Sequence, residues 1–562
     1  MKKKWNIIPT PEKTALKLKE CLGIHPSLCG ILAQRGVDSF ESAKSYFRPT
    51  LELLHNPFKM CGMERAVTRL EKAISSDEKI LLLGDYDVDG TTSVAMFYSF
   101  LKNIHKNLRF YIPNRYKEGY GVSKKAIDFA HQNGFSLIIT LDCGIKSTDL
   151  ITYAAEIGID FIVCDHHTPG ETLPAAKAIL NPKQKDCAYP FKELCGCGVA
   201  FKFIQAICLR WQLDENLALK YLDLVALATV ADIVSLTGEN RVLAHMGLCR
   251  IREKPCHGIK ALLDLSESGS TIDTYCLAFL LAPRINAAGR MDEGYKAVEL
   301  FIAQSYAEAL PFARALHQYN LERKDIDSAT TRQALEIISQ DKELIGRKTT
   351  VVFRENWHKG VVGIVASRLM ETYYRPTVVL TRSEGIIAGS ARSVEGFDLY
   401  NALDACKDHL LGYGGHFAAA GMTMNEEQLS NFIRKFEETV ASTIQPHMLI
   451  PQINIDAEIR FSDISFRFLK IIEQMEPFGP DNLPPTFLTK GVKETGYSKI
   501  VKEKHIRLVF QQDGYSFGGI AFNMAEKFEL LQNRSEFNIV YHLQINEFNN
   551  VKSIQLRILD FE

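Results

Sequence analysis

The chain of 562 residues is long enough for roughly three to four domains. Its 66 Lys and Arg nearly cancel its 67 Asp and Glu, which excludes a uniformly basic binder of polyanions; a nucleic-acid surface would have to be a local patch. No apolar run approaches a membrane span, the Lys-rich N-terminus lacks a signal-peptide core, and thirteen scattered cysteines without a Cys-x-x-Cys pair read as reduced, mostly buried thiols, so a cytoplasmic protein with no membrane attachment is expected.

Residues 1–55 read as a helical segment, with helices expected over 12–21, 27–36 and 39–46. From 56 to 302, strand-like and helix-like runs alternate, as in an α/β domain with a doubly wound parallel sheet. The continuous apolar run at 80–83 has the pattern of a strand buried on both faces. It leads into Asp85, Asp87 and Asp89, after which Gly90 is expected to end the turn and a helix to begin at Thr91 behind a capping hydroxyl. Further strands are expected at 108–112, 136–141 and 160–164, and a helix over 217–230 delivers Asp232.

Three acids at the end of a buried strand repel one another unless something cationic sits among them. Alone they would be read as a solvated acidic turn. An EF-hand is excluded, because no Glu stands at its twelfth position and a strand precedes it. Polar residues recur, however, at the other strand ends: Asp142 after the third strand, His166 and His167 after the fourth. Ligands of an open parallel sheet bind outside the carboxyl ends of its strands, so these side chains and Asp232 are expected to converge. An oxygen-rich set with one or two imidazoles suits Mn²⁺ or Mg²⁺, and the absence of thiolates argues against structural zinc. Two such ions about 3.5–4 Å apart suit in-line attack on phosphorus.

The segments Asp-Tyr-Asp-Val-Asp-Gly90, Leu-Asp-Cys-Gly144, Asp-His-His167 and Ala-Thr-Val-Ala-Asp232 resemble the four motifs of the DHH phosphoesterase superfamily. The resemblance implies Asp87, Asp89, Asp142, His166 and Asp232 as ligands of one or two Mn²⁺ or Mg²⁺ ions, with Asp85 in support and His167 facing the phosphate. Members that cleave pyrophosphate or short oligoribonucleotides open the first motif with a ligating His, whose place here is Leu83. The His-less form resembles the RecJ branch, single-strand-specific exonucleases, and the likeness runs from about residue 20 to the C-terminus.

The segment 113–121, holding Arg115, precedes a helix N-terminus and could hold a phosphate. The segment 282–291, with Arg284 and Arg290, reads as a second Arg-bearing loop. A solvated connecting helix is expected over 303–345, and a strand at 349–353 opens a smaller α/β domain, 346–445. Its segments around His358, Gly389-Ser390-Ala-Arg392 and Gly412-Tyr-Gly-Gly-His416 resemble the DHHA1 domain. That likeness implies Ser390 and Arg392, with Arg115, as binders of a terminal phosphate and His416 as a contact to the phosphate being cut; for His358 a packing role is as good a reading. Residues 446–562 hold five strand-like runs and one helix, which suggests an OB-like β-barrel, with Lys499, Lys502, Lys504, His505, Arg507, Tyr515, Phe517 and Phe522 as material for a single-strand-binding face.

The resemblance implies a monomeric exonuclease that degrades single-stranded DNA 5′ to 3′ to nucleoside 5′-monophosphates in DNA repair and recombination, with a single-strand-binding protein or a helicase as protein partner. The alternatives are a DHH phosphodiesterase for short oligonucleotides or cyclic dinucleotides, and a non-catalytic DNA-binding scaffold; the latter should have lost carboxylates that are all present here.

Overall fold

The computed structural model describes residues 3–266, 271–291, 294–549 and 551–562. It separates into two compact units: Arg314–Gln452 with two short additions, and Trp5–Ile285 joined by Gly294–Ala313 and Ile453–Glu562.

The larger unit contains an all-parallel sheet of β1 (Ile80–Gly84), β2 (Leu108–Tyr111), β3 (Leu137–Leu141), β4 (Asp160–Cys164) and β5 (Ala178–Leu180) in the order β2-β1-β3-β4-β5. The expected doubly wound sheet is present, with β5 as a further short strand. Every residue of β1 and β3 is buried, which explains their unbroken apolar runs. The order reverses direction at β1, so a crevice forms at the carboxyl ends of β1 and β3, where such folds bind ligands. Helices α1 (Val88–Leu101), α2 (Gly196–Arg210), α3 (Leu222–Ala231) and α4 (Gly238–Glu253) follow.

Two local expectations are corrected. Helix α1 begins three residues before Thr91, because the Asp87 carboxylate caps it by accepting a hydrogen bond from the Gly90 N–H at 3.0 Å. Asp89 therefore lies in the first helical turn. The segment expected as an Arg-bearing loop is helix α5 (Ala282–Arg290), which continues a π-helical turn, Cys276–Leu281, and has Pro283 at its second position.

The barrel holds more strands than the five expected: β11 (Ala457–Glu458), β12 (Phe487–Glu494), β13 (Lys499–Val501), β14 (His505–Gln512), β15 (Tyr515–Ala521), β16 (Phe537–Phe548) and β17 (Val551–Phe561), ordered β11-β12-β16-β17-β15-β14-β13 and closed by pairing of β12 with β14. Its core is continuous with the N-terminal helices. Leu18, Leu28, Ile31 and Leu32 pack in one cluster with Phe461, Phe468, Phe487, Phe510 and Tyr541.

The smaller unit is built on β6 (Thr350–Phe353), β7 (Thr377–Ser383), β8 (Ile386–Arg392), β9 (Gly412–Gly415) and β10 (Ala419–Met424), in the order β9-β10-β8-β7-β6. One face packs on Phe432 and Phe436. The other packs on helix α7 (Val362–Tyr373) and on Ala334 and Ile338, from the C-terminal half of helix α6 (Tyr306–Gln340). Among the described residues no helix is long and apolar enough to cross a membrane.

Candidate active site

Four of the expected ligands meet at the switch point. His166, which follows β4, is the hub: its Nε2 stands 3.2 Å from Asp142 Oδ1, 3.5 Å from Asp232 Oδ2 and 3.8 Å from Asp89 Oδ2. Donor atoms of Asp89, His166 and Asp232 lie within 4.8 Å of one another, as do those of Asp142, His166 and His167. Asp142 sits at the end of β3 with φ +64°, a left-handed conformation uncommon for a side-chain-bearing residue and typical of functional positions.

Asp89 is fixed from both sides. Its Oδ2 accepts the Gly196 N–H at 2.6 Å and its Oδ1 the Cys197 N–H at 2.7 Å, so the N-terminus of α2 anchors the carboxylate. Gly196 is required there: a Cβ would come within 2.5 Å of Asp142 Oδ1. Asp85 and Asp87 join neither donor group. Asp87 is the α1 cap, yet close enough for its charge to raise the pKa values of Asp85, Asp89, Asp142 and Asp232. Leu83 is buried in the apolar core with Val122 and Ala126.

The electrostatics of this cluster favour a cation. Burial first, and then the neighbouring acids, push Asp85, Asp142 and Asp232 well above the ordinary carboxylate range; Asp89 is raised by burial and by Asp87, and lowered by His166. Burial pulls His166 down to about 4, so its ring is neutral and has lone pairs to offer. Asp142 Oδ1 and both His166 ring nitrogens are shielded from solvent and make no hydrogen bond among the described residues. Three carboxylates and a neutral imidazole with undirected donor atoms fit a hard divalent cation.

Sequence reasoning missed three residues around this cluster. Asp165 accepts the His166 N–H (2.7 Å), the His167 N–H (3.1 Å) and His167 Nδ1 (2.7 Å) on one oxygen, and the Ile145 N–H (2.9 Å) on the other. Burial opposes a charge on His167, but the bond to Asp165 outweighs it and its pKa is raised. Tyr120 donates to the Asp142 carbonyl at 3.0 Å and lies 3.3 Å from His167 Nε2. Gly196 is the third. Asp165 stood in a quoted motif; the contacts of Tyr120 and Gly196 come from distant segments.

Arg115 stacks on the Tyr86 ring, its guanidinium carbon 4.9 Å from the centroid, and its charge lowers the pKa of Asp85. Arg284 is buried, and its guanidinium donates to the Leu280 carbonyl within its own helical segment. In the smaller unit, Arg392 donates to Ser390 Oγ at 2.7 Å. Both face the first turn of α7, where a Cβ on Gly363 would come within 3.0 Å of Arg392 Nη2 and 3.1 Å of Ser390 Oγ. A hydroxyl, a guanidinium and a helix N-terminus in such proximity suit an anion. His416 is exposed in the turn between β9 and β10, its N–H bonded to the Ala419 carbonyl at 2.8 Å. The glycine before it serves the hairpin, since a Cβ on Gly415 would strike that same carbonyl at 2.3 Å. His358 accepts the Gly360 N–H at 3.1 Å within a turn. On the barrel, Phe517 packs edge-on against Phe461 in the core, whereas Tyr515 and Phe522 are about half exposed.

Residues 79–229 match the DHH family N-terminal domain, 346–442 the DHHA1 domain and 455–560 the RecJ OB domain. The chain is 38% identical to the single-stranded-DNA-specific exonuclease RecJ of Bacillus subtilis (strain 168), over 100% of this chain and 71% of that one. It is 34% identical to the protein of the same name from Escherichia coli (strain K12), over 95% of each. The crystal structure of RecJ in complex with Mn²⁺ from Thermus thermophilus superposes with a TM-score of 0.85 at 29% identity, covering 100% of this chain and 79% of that one. The chain belongs to the RecJ family.

Proposed function

We propose that this chain is a divalent-metal-dependent exonuclease acting on single-stranded DNA from its 5′ end and releasing nucleoside 5′-monophosphates. The observation that carries this reading is the convergence of Asp89, Asp142, Asp232 and His166 at the switch point of a RecJ-family sheet. These four would hold one or two Mn²⁺ or Mg²⁺ ions, with Asp87 contributing its oxygen not used for capping and Asp85 in support. When bound, the cations supply Lewis acidity toward the scissile phosphate and offset transition-state charge.

The chain's own groups do the rest. The α2 amides hold Asp89 in place, and Asp165 orients His167 so that the ring, with its raised pKa, donates from Nε2 to a phosphate oxygen. By the family likeness His416 adds a second donor at the phosphate being cut, and Ser390 and Arg392, with Arg115, bind the 5′-terminal phosphate, while Arg284, buried and bonded to the Leu280 carbonyl, holds its own helical segment in place. The exposed Phe522, against His505 at the end of the strand pair that carries Lys502, Lys504 and Arg507, offers a stacking and cationic face for a single strand, with Tyr515 a further exposed ring at the other end of the hairpin. The enzyme works as a cytoplasmic monomer in DNA repair and recombination, with a single-strand-binding protein or a helicase supplying or exposing the substrate.

End-labelled substrates test this reading. A 5′-labelled single strand should release labelled mononucleotide at once, while a 3′-labelled strand shortens gradually and duplex DNA persists. Preferential cleavage of cyclic dinucleotides or short oligonucleotides would replace it with the phosphodiesterase alternative.

A further inference from the structure

A second cavity, of about 490 Å³, lies in the larger unit at the far ends of two helices that also reach the metal ligands. Helix α1 starts at Asp87 and ends at Lys102; helix α3 starts beyond Tyr221 and ends at Asp232. The fourteen residues of α1 span about 21 Å, which separates the cavity from the carboxylate cluster. Its size falls within the range of small-molecule sites, about 300–1,000 Å³.

The lining is cationic and aromatic. Lys102, Lys106, Lys220 and Arg250 line it together with a single carboxylate, Asp223, a surplus of three positive charges; the Lys102 and Lys106 ammoniums are held at its rim, each donating to the other's carbonyl at 3.2 and 3.4 Å. Asp223 is already engaged: its Oδ1 accepts the Leu224 N–H at 2.9 Å and its Oδ2 the Cys256 N–H at 2.7 Å. Arg250 Nε is shielded from solvent and makes no hydrogen bond among the described residues; Asp223 Oδ1 stands 4.0 Å from it. Lys220 Nζ lies 4.8 Å from the centre of the Tyr221 ring, and burial together with the Arg250 charge depresses its pKa. Like charges gathered in a half-buried cavity, one with an undirected N–H, are stabilised by an anion. Tyr98, Tyr221 and Phe301 add flat apolar surface in the same lining.

We propose that this cavity is a binding site for a nucleotide carrying two or more phosphates, the phosphates held by Lys102, Lys106, Lys220 and Arg250 and the base lying against the cavity's aromatic rings. A diphosphate or triphosphate matches the surplus charge, which a single phosphate does not. None of these residues belongs to the proposed catalytic machinery, so binding and strand cleavage can be read separately.

The test is fluorescence anisotropy of a fluorescently tagged ADP on the full chain without divalent cation, so that the metal site contributes nothing to phosphate binding. The expected result is saturable binding that ADP displaces at least tenfold better than AMP, and that weakens at least tenfold in K220E/R250E and in K102E/K106E. The second pair changes more exposed lysines and guards against a folding defect; both variants should retain single-strand cleavage. Absence of binding to the wild type, equal displacement by AMP and ADP, or unchanged affinity in a variant that still cleaves DNA would overturn the proposal. Displacement by a single-stranded oligonucleotide more readily than by ADP would also overturn it, assigning the cavity to the DNA backbone.

Discussion

At the scale of single residues, the site depends on side chains held by backbone from elsewhere in the chain. Gly196 is the sharpest case, because its amide holds Asp89 while its missing Cβ leaves room for Asp142. Gly196→Ala should therefore lower kcat at least tenfold, weaken Mn²⁺ binding measured by calorimetry, and cost about 1–3 kcal/mol of stability through the buried clash. Normal Mn²⁺ affinity in this variant would detach Gly196 from the metal site. Arg392→Ala, by removing a charge-assisted contact of about 1.5–3 kcal/mol, should raise KM for 5′-phosphorylated strands roughly tenfold or more while sparing strands with a 5′-hydroxyl. An equal effect on both would show that Arg392 does not read the terminal phosphate. The carboxylates and histidines were legible in the sequence because Asp85, Asp142 and His166 follow apolar strand runs, Asp89 stands just beyond one, and Asp232 ends an apolar helix. Gly196 and Tyr120 were not, since what they do is set by contacts with Asp89 and Asp142, each separated from its partner by more than twenty residues.

At the scale of elements, the strands were legible where they are buried on both faces, as in β1, β3 and β4. Helix starts were less so. A carboxylate such as Asp87 can cap a helix or bind a cation, and spacing alone does not decide between them. Residues 476–486, which lead into β12, hold a titrating group. The Glu476 carbonyl accepts Arg241 Nη2 at 2.9 Å, and burial first, then Asp273, raise its carboxyl from the ordinary 4.5 to about 7. Between those values the folded protein keeps a proton that the unfolded chain has lost, so stability falls as pH rises through that window. Glu476→Gln should flatten this dependence and stabilise the protein at pH 8 by about 1–2 kcal/mol after allowance for partial solvent screening. Thermal melts from pH 4.5 to pH 8 that run parallel for wild type and variant would contradict the assignment.

At the scale of the whole molecule, the N-terminal helices are part of the barrel's core. Leu28 and Ile31 are fully buried with Phe461, Phe468 and Phe487, and Arg35 donates to Asn482 Oδ1 at 2.6 Å. Leu28→Ala should cost about 2–5 kcal/mol and lower hydrogen-exchange protection in the barrel strands as well as in the N-terminal helices. Protection lost only before residue 50 would separate the two. The sequence showed apolar helical faces at one end and a barrel at the other, but nothing local marks that they share a core. The central claim is that Asp89, Asp142, Asp232 and His166 hold the cations on which strand cleavage depends. Its most direct measurement is a Mn²⁺ titration of metal-stripped protein, followed in parallel by calorimetry and by mononucleotide release from single-stranded DNA. Binding and activity should rise together in the wild type, and both should be lost in Asp142→Ala, whose circular dichroism and melting stay native. Cleavage that persists in metal-stripped protein, or in Asp142→Ala, would contradict it.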